Sequence, residues 1–140
     1  VSDRRNGNIY ELDFETFDDN GDTILRQRDT ANISGKDFDM PGRELFMTRL
    51  SVILETGVGL TEGQGSVPQI MMQYSDDYGR SWSAEQWRDI GVLGDYRTHK
   101  PVEWHDLGSF YQRQFRFKVS DPVKVALVSA SADLDVDADG

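Results

Sequence analysis

A chain of 140 residues with 37% hydrophobic residues, seven Phe, five Tyr and three Trp suits one ordinary domain and is too apolar for a disordered tail. With no cysteine, disulfides and thiolate metal sites are excluded, and the redox compartment cannot be read. A net charge of −10, from 25 acidic against 15 basic residues, works against casual binding to DNA or an anionic membrane, leaving Arg43 to Arg49 and Arg113 to Lys118 as the places for a local basic patch.

No stretch reaches the roughly 18 apolar residues of a membrane span, and the N-terminus has no apolar signal core. Residues 1–8 are polar and, beginning at Val1, read as a linker or the frayed end of an excised fragment. Ile9 to Phe14 supplies a short alternating strand signal. Asp18 to Asp22 is a turn by composition, because Asn and Gly tolerate positive φ and Asp bonds its own backbone. Thr23 to Ile33 is polar but extendable, so it belongs at a sheet edge or in an irregular arm. Gly35 to Gly42 reads as a loop closed by Pro41-Gly42.

From Glu44 the chain alternates for eleven residues. Phe46, Thr48, Leu50, Val52 and Leu54 fall on one side, with Met47, Arg49, Ser51, Ile53 and Glu55 on the other. Period two of this length predicts a long strand with a dry face and a mixed face. Gly57 to Ser66 is glycine-rich, yet it lacks the lysine of a phosphate-binding loop and a following helix; a surface loop explains it better. Gln69 to Tyr74 alternates again, with Ile70, Met72 and Tyr74 opposite Gln69, Met71 and Gln73.

The stretch Tyr74 to Trp82, YSDDYGRSW, fits the pattern S-x-D-x-G-x-[ST]-W at Ser75, Asp77, Gly79, Ser81 and Trp82. This is the Asp box, a hairpin-turn device found in sialidases and many other β proteins. Gly79 occupies the position where a side chain would strain φ. Asp77 can accept turn N–H groups, Ser75 or Ser81 adds a hydroxyl, and Trp82 can fold back to shield them. The motif fixes a bend and carries no hydrolysis with it.

Trp87 to Leu93 can extend, Gly94-Asp95 and Leu107-Gly108 offer turns, and Val102 to His105 is a strand signal. Gln112 to Val119 sets Phe115, Phe117 and Val119 against Gln114, Arg116 and Lys118. Asp121-Pro122 breaks it, and Val123 to Val128 resumes as strand. Ser131 to Gly140 alternates acid with Leu134, Val136 and Ala138, as a charged row guarding a final edge strand would. Together these elements predict an all-β, antiparallel β-sandwich of jelly-roll-like kind with one Asp-box hairpin: a single domain over 9–136, then an acidic tail over 137–140.

Chemistry is thinly represented. A glycosidase needs two carboxylates roughly 5–9 Å apart across a pocket, and Asp76, Asp77, Glu85 and Glu103 are the aromatic-flanked candidates. His99 and His105 have no metal-site spacing, and no serine has a nucleophile context. Asp18 to Asp22 and Asp133 to Asp139 are oxygen-rich but lack the EF-hand pattern. No enzyme, cofactor or metal is therefore expected. The aromatics Tyr74, Tyr78, Trp82, Trp87, Tyr96, Trp104, Phe110 and Tyr111 could instead supply a sugar-stacking platform, the alternative reading being a carbohydrate-binding module of a phage or host-recognition protein.

Gly57 to Gly65, the Asp box through Trp87, Gly91 to Arg97 and Ser120-Asp121-Pro122-Val123 form a wider pattern. From about Asn8 to Val136 the chain resembles the C-terminal region of the podoviral packaged-DNA stabilization protein, the tail hub or head-completion family of short-tailed phages. The resemblance implies a structural, non-catalytic module of a homo-oligomeric ring in the virion tail, assembled in the host cytoplasm. Such a ring plugs the portal channel after packaging and docks further tail parts. Implied partners are phage tail and portal proteins, with no membrane and no sequence-specific nucleic acid; a lone fragment is compatible with a monomer. Trp87, Tyr96, Arg97, Trp104 and Tyr111 are the expected interface or ligand contacts.

Overall fold

The structure is a computed structural model that describes residues 7, 9, 11, 16, 18–19, 21–56, 68–90, 101–123 and 125–136. Most of the Ile9 to Phe14 strand signal, the Gly57 to Ser66 loop, the run containing Tyr96, Arg97 and His99, and the tail 137–140 lie outside these residues. The strands are β1 (Asp18–Asp19), β2 (Asp22–Thr23), β3 (Arg26–Asp29), β4 (Ile33–Ser34), β5 (Leu45–Thr56), β6 (Gln69–Ser75), β7 (Gln86–Asp89), β8 (Val102–Phe110), β9 (Gln112–Val119) and β10 (Val125–Val136). A 3-10 turn, Gly35–Phe38, lies within the segment expected as loop, with the Asp37 carboxylate accepting the Ser34 N–H at 2.8 Å.

All pairings are antiparallel. One sheet has the order β10-β5-β8; the other runs β3-β9-β6-β7, with β4 also on β9. From β7 onward each successive strand changes sheet, so the two sheets are laced together. Apolar side chains from both inner faces make one core: Leu50 and Val52 of β5, Met72 of β6, Trp104 and Phe110 of β8, and Phe115 and Phe117 of β9. The chain is thus an all-β antiparallel sandwich. On β9 the alternation is regular, with positions 113, 115, 117 and 119 buried and their neighbours half-buried. Thr23 to Ile33 takes an edge position, through β3 on β9.

Three local expectations need correction, and bulges account for them. On β5, Met47 is wholly buried while Phe46 is 42% exposed, the reverse of the faces assigned by strict alternation. Arg49 and Met47 pair with the consecutive residues Asp133 and Leu134 of β10, leaving Thr48 as an extra residue. One extra residue inverts the facing of everything before it. Leu107-Gly108 is no reversal: β8 runs on to Phe110, and positive φ at Asp106 (55°) and Gly108 (73°) marks an irregularity opposite Thr48. Finally, the two segments expected after Pro122 merge into the single strand β10, with a register shift at Val128.

At the first turn, Gly21 takes φ 89° and donates its N–H to the Asp18 carboxylate at 3.0 Å.

Candidate functional site

The β6–β7 connection is a bend held by its own side chains. Asp77 Oδ1 accepts the Ser75 hydroxyl at 2.7 Å and the Ser81 N–H at 2.8 Å; its Oδ2 accepts the Ser81 hydroxyl. Ser75 Oγ in turn accepts the Gly79 N–H at 2.8 Å. One step outward, Ser83 donates its N–H to Tyr74 O at 2.8 Å and accepts the Tyr74 N–H on its hydroxyl at 3.0 Å. The chain reverses through Tyr78 (φ 60°) and Gly79 (φ 84°).

A methyl added at Gly79 would meet only ordinary contacts, 3.6 Å from Trp82 Cζ2 and from Gln114 Oε1. The cost of Gly79→Ala is therefore backbone strain, about 1–2 kcal/mol. Urea denaturation should show a lower midpoint at an unchanged slope, and an unshifted midpoint would contradict this account.

The Ser81 hydroxyl, then the Ser81 N–H, then the Ser75 hydroxyl stabilise the Asp77 anion and lower its pKa to about 2 from the ordinary 3.8. A depressed folded-state pKa means that stability is present above the ordinary value and is lost as pH falls towards about 2. Asp77→Asn should lower stability above that window and flatten the acid-unfolding curve within it, so that the two curves converge as pH falls towards about 2. Identical curves for the two proteins would show that the carboxylate contributes nothing there.

Trp82 lies beside this bend with the Arg116 guanidinium 3.8 Å over its ring. Arg116 also forms a two-pronged pair with Asp29 of β3, both contacts at 2.8 Å, which holds the Asp29 carboxyl below its usual range. The indole thus belongs to a row that crosses the outer face of the larger sheet from the bend to its edge strand.

A second node was missed from the sequence. Arg113 is 2% exposed at the end of the core. Its Nε and Nη2 grip the two oxygens of Asp76 at 2.7 and 2.8 Å, and Nη1 donates to Leu107 O at 2.6 Å. The Tyr74 and Phe110 rings lie 4.1 and 4.3 Å from the guanidinium carbon. The signal was available, since Arg113 falls two residues before Phe115 on the dry face of β9. Gln112 adds a bond from its side-chain amide to Asp76 O. The bend and the β8–β9 turn are therefore fastened together through one residue, Asp76.

The remaining candidates disperse. Trp104, expected as a contact, is wholly buried, with Nε1 donating to Gln86 O at 3.2 Å and its ring 6.0 Å from Phe117. The inward parity of β8 makes it core rather than surface. Trp87, 43% exposed, sits on β7 across from Met71. Met71, which the alternation set opposite Ile70 and Met72, is itself buried. Tyr111 is exposed at the β8–β9 turn. Glu103 pairs with His105 at 3.2 Å and Arg49 at 3.4 Å on the outer face of the smaller sheet. Asp76 and Asp77 are each engaged within the fold. Among the described residues no group of three or more His, Asp or Glu could hold a metal ion. An open cleft of about 180 Å³ separates the β3 and β10 edges, floored by Leu54, Ile70, Phe117 and Val119.

A sandwich laced in this way, with its polar groups turned to bracing bends, is matched over residues 38–135 by the family model described as bacteriophage P22 Gp10, beta-sandwich. The chain belongs to this family. No curated protein matches it. The P22 Gp10 β-sandwich is a phage structural domain, which associates the chain broadly with the virion. The match begins at the end of the 3-10 turn and runs through β5 to β10, so it takes in both the bend and the Arg113 node.

Proposed function

We propose that this domain is a docking module of the tail hub of a short-tailed phage, helping to close the portal after DNA packaging and to seat further tail components. Membership of the P22 Gp10 β-sandwich family carries the reading. The similarity to packaged-DNA stabilization proteins supplies its finer content: a place in the tail, a ring of copies, and tail and portal proteins as partners. In this reading the sandwich is jelly-roll-like and Ser75 to Trp82 is an Asp box acting as a brace. The use of Asp77 and Asp76 within the fold supports a scaffold rather than a substrate site. Function then lies in complementary surfaces, and no catalytic residue is assigned.

The test is direct. DNA-filled particles assembled without this protein are mixed with the chain, and co-sedimentation and nuclease-accessible DNA are measured. The expected result is binding to the particles and a fall in accessible DNA. Failure to bind them, together with capture of a defined glycan on an array, would replace this reading by the carbohydrate-binding one.

A further inference from the structure

β10 lies at the edge of the smaller sheet, and among the described residues only β5 pairs with it. Its other edge leaves backbone N–H and C=O groups open to a further strand. The strand is twelve residues long, holds no proline, and carries no charge from Val125 to Ala132. Its one blunting device is the bulge at Val128, whose apolar side chain is 60% exposed. Ala130 faces inward opposite the wholly buried Val52, yet it is exposed. Val125, Leu127, Ala132, Leu134 and Val136 are only partly covered.

Pairing with β5 settles which way each residue faces. Val125, Leu127, Ala130, Ala132, Leu134 and Val136 stand on the inner side. In chain order that row is Val-Leu-Ala-Ala-Leu-Val, the same in both directions. An antiparallel partner runs in reverse, so a second β10 offers this row its own sequence. With a two-fold axis at Ser131, and Val128 left out as the bulge, the whole strand is matched. Val125 meets the partner's Val136, Leu127 the partner's Leu134, and Ala130 the partner's Ala132.

The outer side fits the same axis. Ser131 meets the partner's Ser131, while Asp133 and Asp135 fall opposite the partner's Ser129 and the partner's Ala126. No acid faces an acid. Asp133 stands four positions from its equivalent, about 14 Å along the strands, which exceeds the screening length of about 8 Å at physiological salt. Arg49 already neutralises Asp133 at 2.8 Å. A surface complementary to its own reversal is what a two-fold contact between identical chains requires, and an unrelated strand does not call for it.

We propose that two copies of this chain pair through β10, joining their three-stranded sheets into one continuous sheet. The contact closes on two copies, so it is separate from a head-to-tail ring and does not rest on the docking reading.

The chain has no cysteine, so Ser131→Cys and Ser129→Cys each introduce a single thiol. Directly opposed residues lie about 4.5–5.5 Å apart between Cα atoms, within the reach of a disulfide. Under mild oxidation Ser131→Cys should give a covalent dimer, and Ser129→Cys, about 14 Å from its equivalent, should not. Sedimentation of the intact chain should show a monomer–dimer equilibrium that tightens with added salt, since each chain carries −10. Ser131→Lys should weaken it about fivefold or more, with an unchanged urea midpoint in dilute solution. A chain that stays monomeric, or equal cross-linking by both cysteines, would overturn the inference. A monomer that binds particles lacking the protein, and loses that binding through Ser131→Lys, would assign the edge to a different virion protein and leave the docking reading standing.

Discussion

Replacing Arg113 with alanine is expected to lower the unfolding free energy by about 3–5 kcal/mol, the range for breaking a buried charge pair. Three losses coincide. The Asp76 carboxylate forfeits both guanidinium contacts, Leu107 O loses its donor, and a gap opens where Tyr74 and Phe110 had flanked the cation. Asp76 is partly open to water, which favours the lower end of that range. Arg113→Lys should recover only part of the loss, because an ammonium cannot span both carboxylate oxygens and the carbonyl at once. Urea denaturation read by tryptophan fluorescence measures both variants. A drop of less than about 1 kcal/mol for the alanine variant would mean that the node is incidental.

Trp104→Ala should be comparably severe, at about 3–5 kcal/mol, from lost burial and the cavity left behind. This indole is wholly inside the sandwich, where its ring meets Phe117 and its N–H satisfies Gln86 O. Trp104→Phe separates the two contributions. It keeps most of the filled volume but leaves that carbonyl without its donor, so a smaller loss is expected, about 1–3 kcal/mol. Equal losses for Ala and Phe would assign the effect to the hydrogen bond instead of the cavity.

Much of the architecture was legible because period two is a local property. Gln112 to Val119 declared its dry face residue by residue, and the edge position of Arg26–Asp29 followed from its polarity, whereas on Gln69 to Tyr74 Met71 is buried beside Ile70 and Met72. Errors arose where tertiary pairing inserts or omits a residue. Nothing in Phe46-Met47-Thr48 announces that Thr48 has no partner opposite; that depends on β8 and β10, more than fifty residues away. Leu107-Gly108 was read as a turn, but the positive φ of Gly108 serves a bulge as readily. Trp104 was ambiguous because aromatics suit both cores and contact surfaces, and only the completed sandwich decides which it is. Arg113 was the opposite case. Its position on the apolar stripe was visible, but charge argued for solvent until Asp76 and two rings supplied a site for it.

The interleaving of strands between sheets has a consequence for biogenesis. The smaller sheet has β5 at its centre, yet its flanking partners are translated long after it, β10 last of all. During synthesis the β5 edge that pairs with β10 must wait until residues 125–136 have cleared the ribosome. Closure of the smaller sheet is therefore expected to be late and cooperative.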